Sequence, residues 1–502
     1  MKLVKFLQEL SCQGVKFSIK GEELCCDGSR KILTPTIVAQ LQENKASIIQ
    51  LLKSEPNIFN VHPLSHGQKA LWFTWQLEPE STAYNQVFSA RICNYLDVEK
   101  LRLACLELVE RHPCLRSTFP KHGEQPIQKI HQIFQLNWQH IDASDWDETE
   151  LYSQVTKESK FPFDIEKEAI IRIRLFTISS SEYILLITIH HIATDAWSLD
   201  IMLSELPKLY QAQIDGVCAS LPALKNSYSD YVYSQNEMLS DDQGEKLLRY
   251  WESKLKGELP ALNLPTDKPR PAIQIYNDAS INFQLSEQLT QKLKQLAIDS
   301  DATLYMTLLA AFEVFLYRYT GTDDILVGSP FAGRLQPQFR EIVGNFVNLV
   351  VLRDNLSNNP SFKEFLNQIC QTVNEALTNQ NYPFSLLLEK IQPYRDLSRS
   401  PIFQASFALQ KLQQSQNIQN LFINEIEENI DWGGLKLESF EIPHQQGHND
   451  LDLEVFEDIS CIKGRFKYNT HLFNYETIER MVAHFQNLLE AIVENPSEEV
   501  SS

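Results

Sequence analysis

Two histidines stand side by side in the stretch HHIATDAWS (190–198), with Asp195 four residues after the second of them and Ser198 seven. Histidine is the side chain whose proton affinity lies nearest neutral pH, which suits His190 or His191 to proton transfer. An aspartate at this spacing can act as an acid–base partner or as structural support for the loop. Metal binding is the rival reading of such a pair. Adjacent histidines at a strand end point in different directions, however, and no further His, Cys or Glu cluster at ligand spacing accompanies them, so no metal site is expected. On residue chemistry alone the pair is either catalytic or a structural feature of a strand end.

The run directly before the pair, EYILLITI (182–189), is apolar and β-branched and predicts a buried strand. After Asp195, the apolar residues Trp197, Ile201, Leu203, Leu206 and Tyr210 predict a helix. A strand that ends in a loop and then a helix is a common place for a scaffold to present reactive groups. Further along, Pro-rich punctuation at 260–271 (PALNLPTDKPRP) reads as a seam. A helix is expected over 304–317, strands over 325–327 and 346–352, a last helix over about 475–493, and a disordered polar tail, ENPSEEVSS, over 494–502. Strands and helices mix in both halves, so the fold class is α/β or α+β.

The whole chain of 502 residues is too long for one ordinary core. Its 43% hydrophobic and 22% charged residues are those of a globular protein, and no apolar run is long enough to cross a bilayer. A net charge of −20 argues against a nucleic-acid binder, which needs a basic face for phosphates. The N-terminus, MKLVKFLQELSCQG, breaks its apolar residues with Lys5, Gln8 and Glu9, which suits an amphipathic helix rather than a signal peptide. Nine cysteines without a CxxC pair fit reduced thiols, and a cytoplasmic location is expected.

Residues 1–55 read as a separate small unit. A helix over about 2–11 is followed by alternating Val15, Phe17 and Ile19, a turn at Gly21 and Glu22, and a short second strand at 24–26. Thr34-Pro35 is a strong helix start, and Ile37, Val38 and Leu41, then Ile48, Ile49, Leu51 and Leu52, supply two helical stretches. The order is helix, hairpin, helix, helix. So small a unit is marginal alone, and its hairpin (Val15, Phe17, Ile19, Leu24) offers an edge to which an extended peptide can add. Residues 56–62 read as a linker.

HHIATDAWS resembles the HHxxxDG motif of the condensation domains of nonribosomal peptide synthetases, within the chloramphenicol-acetyltransferase-like superfamily. The other motifs of that family are matched in order by LSHGQKALWF (64–73), RHPCLRSTF (111–119), YSDYVYSQ (228–235), VGNFVNLVVLR (343–353), NQNYPFSLLLE (379–389) and YRDLSRSPIFQ (394–404). Residues 1–55 are similar to the TubC-type N-terminal docking domain of such synthetases. The resemblance implies an α-β-β-α-α docking domain followed by two chloramphenicol-acetyltransferase-like lobes (63–235 and 236–493) in a V-shaped pseudo-dimer with a central tunnel. It also implies the partners. Donor and acceptor carrier proteins insert phosphopantetheine arms as substrates, so no cofactor is bound covalently. The docking domain takes a C-terminal peptide of an upstream synthase and can pair with a second copy. No nucleic acid and no membrane are expected as partners.

In that family the acceptor amine attacks the donor thioester, and an amide bond forms. The resemblance points to His191 as the catalytic group, acting as a base or by positioning the amine, and to His190 as structural. It implies that Asp195 pairs with an arginine, for which Arg116 in the second motif is the candidate. Ser65, Trp197, Ser198, Asn348, Tyr382 and Arg395 fall in motifs near the tunnel or in lobe packing. Two departures stand out: Ala196 replaces the motif's glycine, where a methyl could narrow the tunnel or shift the loop, and Asn379-Gln380 stands where His-Gln is usual. The DAWS ending and the NFVNLVVLR run (345–353) resemble domains that take polyketide, fatty-acyl or D-configured donors. No adenylation signature, no carrier-type Gly-Gly-x-Ser and no GxSxG appears, so the chain is expected to work as part of a longer synthetase or with partners in trans. The rival readings are an epimerisation domain, an inactive recruitment platform, and a free-standing acyltransferase.

Overall fold

The apolar run before the histidines forms the strand Glu182–His190, and all of its residues after Glu182 are buried. Its continuous hydrophobicity follows from its place inside a six-stranded sheet. It pairs antiparallel with Asn85–Ile92 on one side and with Ile171–Ser179 on the other, and Trp138–Asp142 adds parallel beyond the latter. The structure, a computed structural model, describes residues 3, 6, 7, 10, 15–20, 23–27, 32–54, 61–275, 277–393, 396–411, 421, 430–440, 442, 449–457 and 461–502.

The chain forms two compact units, and neither is a single stretch of sequence. The first takes 1–246, 334–346 and 426–441; the second takes 247–333, 347–425 and 442–502. The contiguous division at 235/236 is thereby corrected. Strand Leu435–Ser439 is the physical reason for one excursion: it pairs with Asn85–Ile92 at the edge of the first unit's sheet and carries Ile430–Trp432 with it. The Trp432 indole is buried and donates to the Leu203 carbonyl (2.7 Å). The expected seam at 260–271 is not a boundary either. Leu262 and Leu264 are buried in the second unit, and the Leu262 N–H donates to Gln404 Oε1 (2.7 Å).

In the first unit the helix Ala196–Asp215 follows the central strand, capped at its start by Asp195 and at its end by Gly216, whose φ of 67° suits glycine. The second unit is built on a six-stranded sheet in the order Asp278–Gln284, Ile462–Asn469, Leu451–Glu457, Ala405–Gln410, Asp324–Phe331 and Asn348–Asn355. Helix Leu304–Thr320 and the last helix, Tyr475–Glu494, pack together, with Phe312, Phe315, Phe466 and Phe485 in the core. The tail is not loose. Val500 is buried, its N–H donates to the Pro360 carbonyl, and Ser361 bridges Glu499, so one apolar residue anchors an otherwise polar segment.

At the N-terminus, strands Lys16–Lys20 and Glu23–Asp27 form an antiparallel hairpin with Ile19 opposite Leu24. Helices Pro35–Glu43, capped by Thr34, and Lys45–Ser54 follow. Leu7, Leu10, Val15, Leu41 and Ile48 make a small core of their own, against which Phe17 and Leu24 pack. Val15, just before the first strand, is buried in that cluster. Most of the expected first helix and the turn at 21–22 lie outside the described residues. The expected linker ends early, since Val61–Pro63 is already a strand paired with Gln125–Ile130.

Candidate active site

The central strand ends at His190, and the chain then makes a single 3-10 turn, His191–Ala193. The backbone N–H of His191 donates to the Tyr84 carbonyl at 2.8 Å, which ties the turn to the neighbouring strand's approach. The two rings have different surroundings. His190 is buried between Tyr84 and Phe163 (centroids 6.4 and 6.1 Å), and its Nδ1 accepts from the Ile192 N–H at 3.1 Å. Burial pushes its pKa down to about 3, with the neighbouring His191 and Arg172 adding to the effect. It is a neutral structural group that shapes the turn.

His191 is only half-buried. Its Nδ1 is enclosed and makes no hydrogen bond among the described residues, and Nε2 is not an enclosed atom of that kind. Burial holds its proton affinity below the ordinary histidine value of 6.5, opposed by its own carbonyl, the charge of Asp195 and the Thr194 carbonyl. At neutral pH the imidazole is therefore uncharged and able to accept a proton.

Asp195 spends both carboxylate oxygens on structure. Oδ1 accepts from the Ser198 N–H (2.7 Å), capping the helix, and from Arg334 (3.0 Å); Oδ2 accepts from the Phe346 N–H (2.9 Å). The arginine partner is thus Arg334, not Arg116. Arg116 donates to the His131 carbonyl at 2.6 Å and has no contact with Asp195. Arg334 also donates to Ser198 Oγ (2.7 Å) and to the carbonyls of Phe339 (2.9 Å) and Ile342 (2.6 Å), and it lies 4.0 Å over the Phe346 ring. It is absent from every motif read in the sequence. The cue was the Ala332-Gly333-Arg334 step just past a buried strand, Asp324–Phe331, but nothing local links it to a residue 139 positions earlier.

Ser198 Oγ bonds both the carbonyl (2.7 Å) and the N–H (3.0 Å) of Gly344. A side chain at Gly344 would meet the Tyr228 ring at 2.0 Å, so this close approach requires glycine. Ser65 Oγ meets the Tyr228 hydroxyl (2.9 Å), which donates to the Asn345 carbonyl (2.5 Å). The Trp197 indole donates to the Arg340 carbonyl at 3.0 Å. Ala196 is exposed at the first helical position and is not among the residues with positive φ, so the backbone there does not need glycine. In the second unit, Asn348 donates to the carbonyls of Gln380 and Tyr382 (2.8 Å each) and accepts from the Phe384 N–H (3.0 Å), so it staples two motifs together. Tyr382 is buried beside that staple. Arg395 lies outside the described residues. Arg111 and His112, at the head of the second motif, both donate to the buried Glu205 of the helix after the loop (His112 Nε2 at 2.8 Å), a pairing that sequence reading missed. Among the described residues no group of His, Cys, Asp and Glu could hold a metal, and no helix is long and apolar enough to cross a membrane.

Comparison with known proteins agrees with this arrangement. The family model of the condensation domain matches residues 59–502, and that of the TubC N-terminal docking domain matches 3–54. Gramicidin S synthase 2 of Aneurinibacillus migulanus is 34% identical over 469 residues, covering 92% of this chain and 10% of that protein. Surfactin synthase subunit 1 of Bacillus subtilis is 33% identical, with 93% and 12% covered. The chain thus spans a small fraction of the length of these relatives. The crystal structure of a four-domain nonribosomal peptide synthetase bound to AMP and glycine matches with a TM-score of 0.80 and 26% identity, over 88% of this chain and 33% of the other. With two chloramphenicol-acetyltransferase-like lobes, an HHIATD loop latched by Arg334 and a docking unit ahead of them, the chain belongs to the condensation-domain family of nonribosomal peptide synthetases.

Proposed function

We propose that this chain joins a carrier-bound acyl or peptidyl donor to the amine of a carrier-bound aminoacyl acceptor, forming an amide bond. The observation that carries the reading is His191: a neutral, half-buried imidazole with Nδ1 enclosed, on a turn held rigidly from outside. The phosphopantetheine thioesters are substrates. The acceptor amine attacks the donor carbonyl, the thiolate of the donor arm leaves, and the lengthened chain stays on the acceptor. In this reading Nε2 of His191 either takes the proton of the attacking amine or orients that amine. Base catalysis of this kind contributes roughly 10²–10⁴-fold, and holding two tethered reactants together contributes as much or more.

Residues 1–55 in this reading recruit an upstream synthase in the cytoplasm, its C-terminal peptide adding to an edge of the hairpin Lys16–Lys20/Glu23–Asp27, with a second docking unit as the other partner. The decisive experiment loads donor and acceptor groups onto separate carrier proteins and follows transfer by intact-protein mass spectrometry. Elongation by the wild type and its loss in His191→Ala are expected. No elongation with a panel of donors refutes the reading. Elongation unchanged in His191→Ala refutes the role of that residue. Removal of 1–55 is expected to reduce use of a donor delivered by the upstream synthase while leaving transfer from a free carrier intact.

A further inference from the structure

The bonds of Asp195 hold the His191 turn from its C-terminal side. A second set holds it from the other side, through a residue with no role so far. Gln68 lies near the start of helix His66–Leu77 and is fully buried. Its Nε2 donates to the Ile192 carbonyl at 3.0 Å, and its Oε1 accepts from the Ser65 N–H at 3.1 Å. Ile192 is the residue directly after His191. From within, the turn is held by the Ile192 N–H donating to His190 Nδ1 (3.1 Å) and by a long bond from the Thr194 N–H to the His191 carbonyl (3.4 Å).

The bonds close on themselves. From the Ile192 carbonyl they run to Gln68, to Ser65, to the Tyr228 hydroxyl and to the Asn345 carbonyl. The residues on either side of Asn345 are Gly344 and Phe346, whose backbones bind Ser198 and Asp195 on the far side of the same turn. The loop that presents His191 is thus gripped at both ends by one ring of hydrogen bonds. Within it, Gln68 is the side chain that binds the Ile192 carbonyl, in the Ile192–Ala193 peptide one step beyond His191, while His190 Nδ1 holds the N–H of the His191–Ile192 peptide. An amide suits that place because it supplies a donor and an acceptor together; glutamate supplies only acceptors when ionised, and methionine no N–H donor.

We infer that Gln68 is a positioning residue for His191: its amide fixes the peptide plane at Ile192 and thereby the direction in which Nε2 points. Loss of the donor leaves the Ile192 carbonyl unpaired and frees the turn. The inference rests on the reading of His191 as the group that serves the acceptor amine, so the test includes a measurement independent of turnover.

The full chain is prepared as wild type, Gln68→Met and Gln68→Glu, both near in length to glutamine. Carrier-to-carrier elongation gives kcat and KM, and the His191 ring is titrated by NMR with isotope-labelled histidine, assigned against His191→Ala. A misplaced reacting group is expected to lower kcat about tenfold to hundredfold with KM little changed. The His191 titration midpoint is expected to move up towards the ordinary histidine range as the loosened turn admits water. Gln235→Met removes a comparable bond to the same helix, that from the His66 N–H to Gln235 Oε1 (3.1 Å), without touching the turn. It is expected to reduce stability but to leave kcat and the His191 titration as in the wild type. Folded Gln68 variants with wild-type kcat and wild-type titration overturn the inference, as does a Gln235→Met effect on both equal to that of Gln68→Met. If the wild type gives no elongation, the functional reading fails, and the ring titration still decides the role of Gln68.

Discussion

Replacement of Arg334 by methionine tests the latch on the active-site loop. The side chains of Arg334 and Asp195 are 1% and 4% exposed, so the variant leaves a carboxylate sealed in the protein with only the Ser198 and Phe346 N–H groups to meet it. Breaking a buried pair from one side typically destabilises by about 3–5 kcal/mol. For a unit of this size that corresponds to a fall in Tm of roughly 6–20 °C. Lysine is a poor substitute, because a single ammonium cannot replace a fork that reaches Asp195, Ser198, Phe339 and Ile342 at once. The assay is thermal and urea denaturation of wild type, Arg334→Met, Asp195→Asn and the double variant. Neutralising Asp195 removes the stranded charge, so the double variant is expected to lose less than the two single losses added together, with a coupling of about 0.5–3 kcal/mol. Arg116→Met is expected to show no coupling to Asp195→Asn. An Arg334→Met protein as stable as the wild type, or additive single losses, refutes the latch.

Other consequences are as direct. Gly344→Ala drives a methyl into the Tyr228 ring and is expected to destabilise by about 1–3 kcal/mol, with transfer activity falling in step; a wild-type melting curve contradicts the close packing. Asn348→Ala strips the carbonyls of Gln380 and Tyr382 of their donor, and a loss of about 2–4 kcal/mol in urea denaturation is expected. Glu313 is fully buried with neither oxygen bonded among the described residues, and burial, with Asp354 nearby, raises its pKa well above the ordinary carboxylate range. A raised acid favours the fold at low pH, and this contribution is lost as pH climbs from the unfolded value towards the folded one; Asp354, pushed up to about 6 by burial, adds in the same sense. Glu313→Leu is therefore expected to gain stability relative to wild type as pH rises above the ordinary carboxylate range, and a pH-independent difference contradicts this. The lowered pKa of His191 places the acid limb of its contribution to turnover below 6.5, with a plateau at neutral pH; a limb above 7 rules out an uncharged resting imidazole.

The parts of the site that were legible in the sequence are those whose chemistry and neighbours are local. The apolar run before His190 and the helix after Asp195 lie within one strand–turn–helix passage, and both follow from apolar patterning, whereas the cap that Asp195 makes on that helix was not read. Thr34-Pro35 was legible because its capping is local in the same way. What was hidden depends on the path of the chain. Arg334 looks like any loop arginine until residues 334–346 fold back beside Asp195. Arg116 sits in a matched motif, yet its position sends its guanidinium to a carbonyl of its own neighbourhood. The tail was judged by its polar composition, and a single apolar residue, Val500, outweighed that composition.

The discontinuity of the first unit sets a rule for exchange of genetic material between relatives. A single crossover anywhere between codons 198 and 334 takes the Asp195–Ser198 half of the latch from one parent and the Arg334–Phe346 half from the other. A crossover between 92 and 435 likewise mates an edge strand of one parent with a sheet of the other. Chimeras cut in the middle of this chain inherit their active-site loop and its restraint from different lineages. Intact inheritance of the loop with its restraint favours breakpoints outside the span from Ser65 to Ser439.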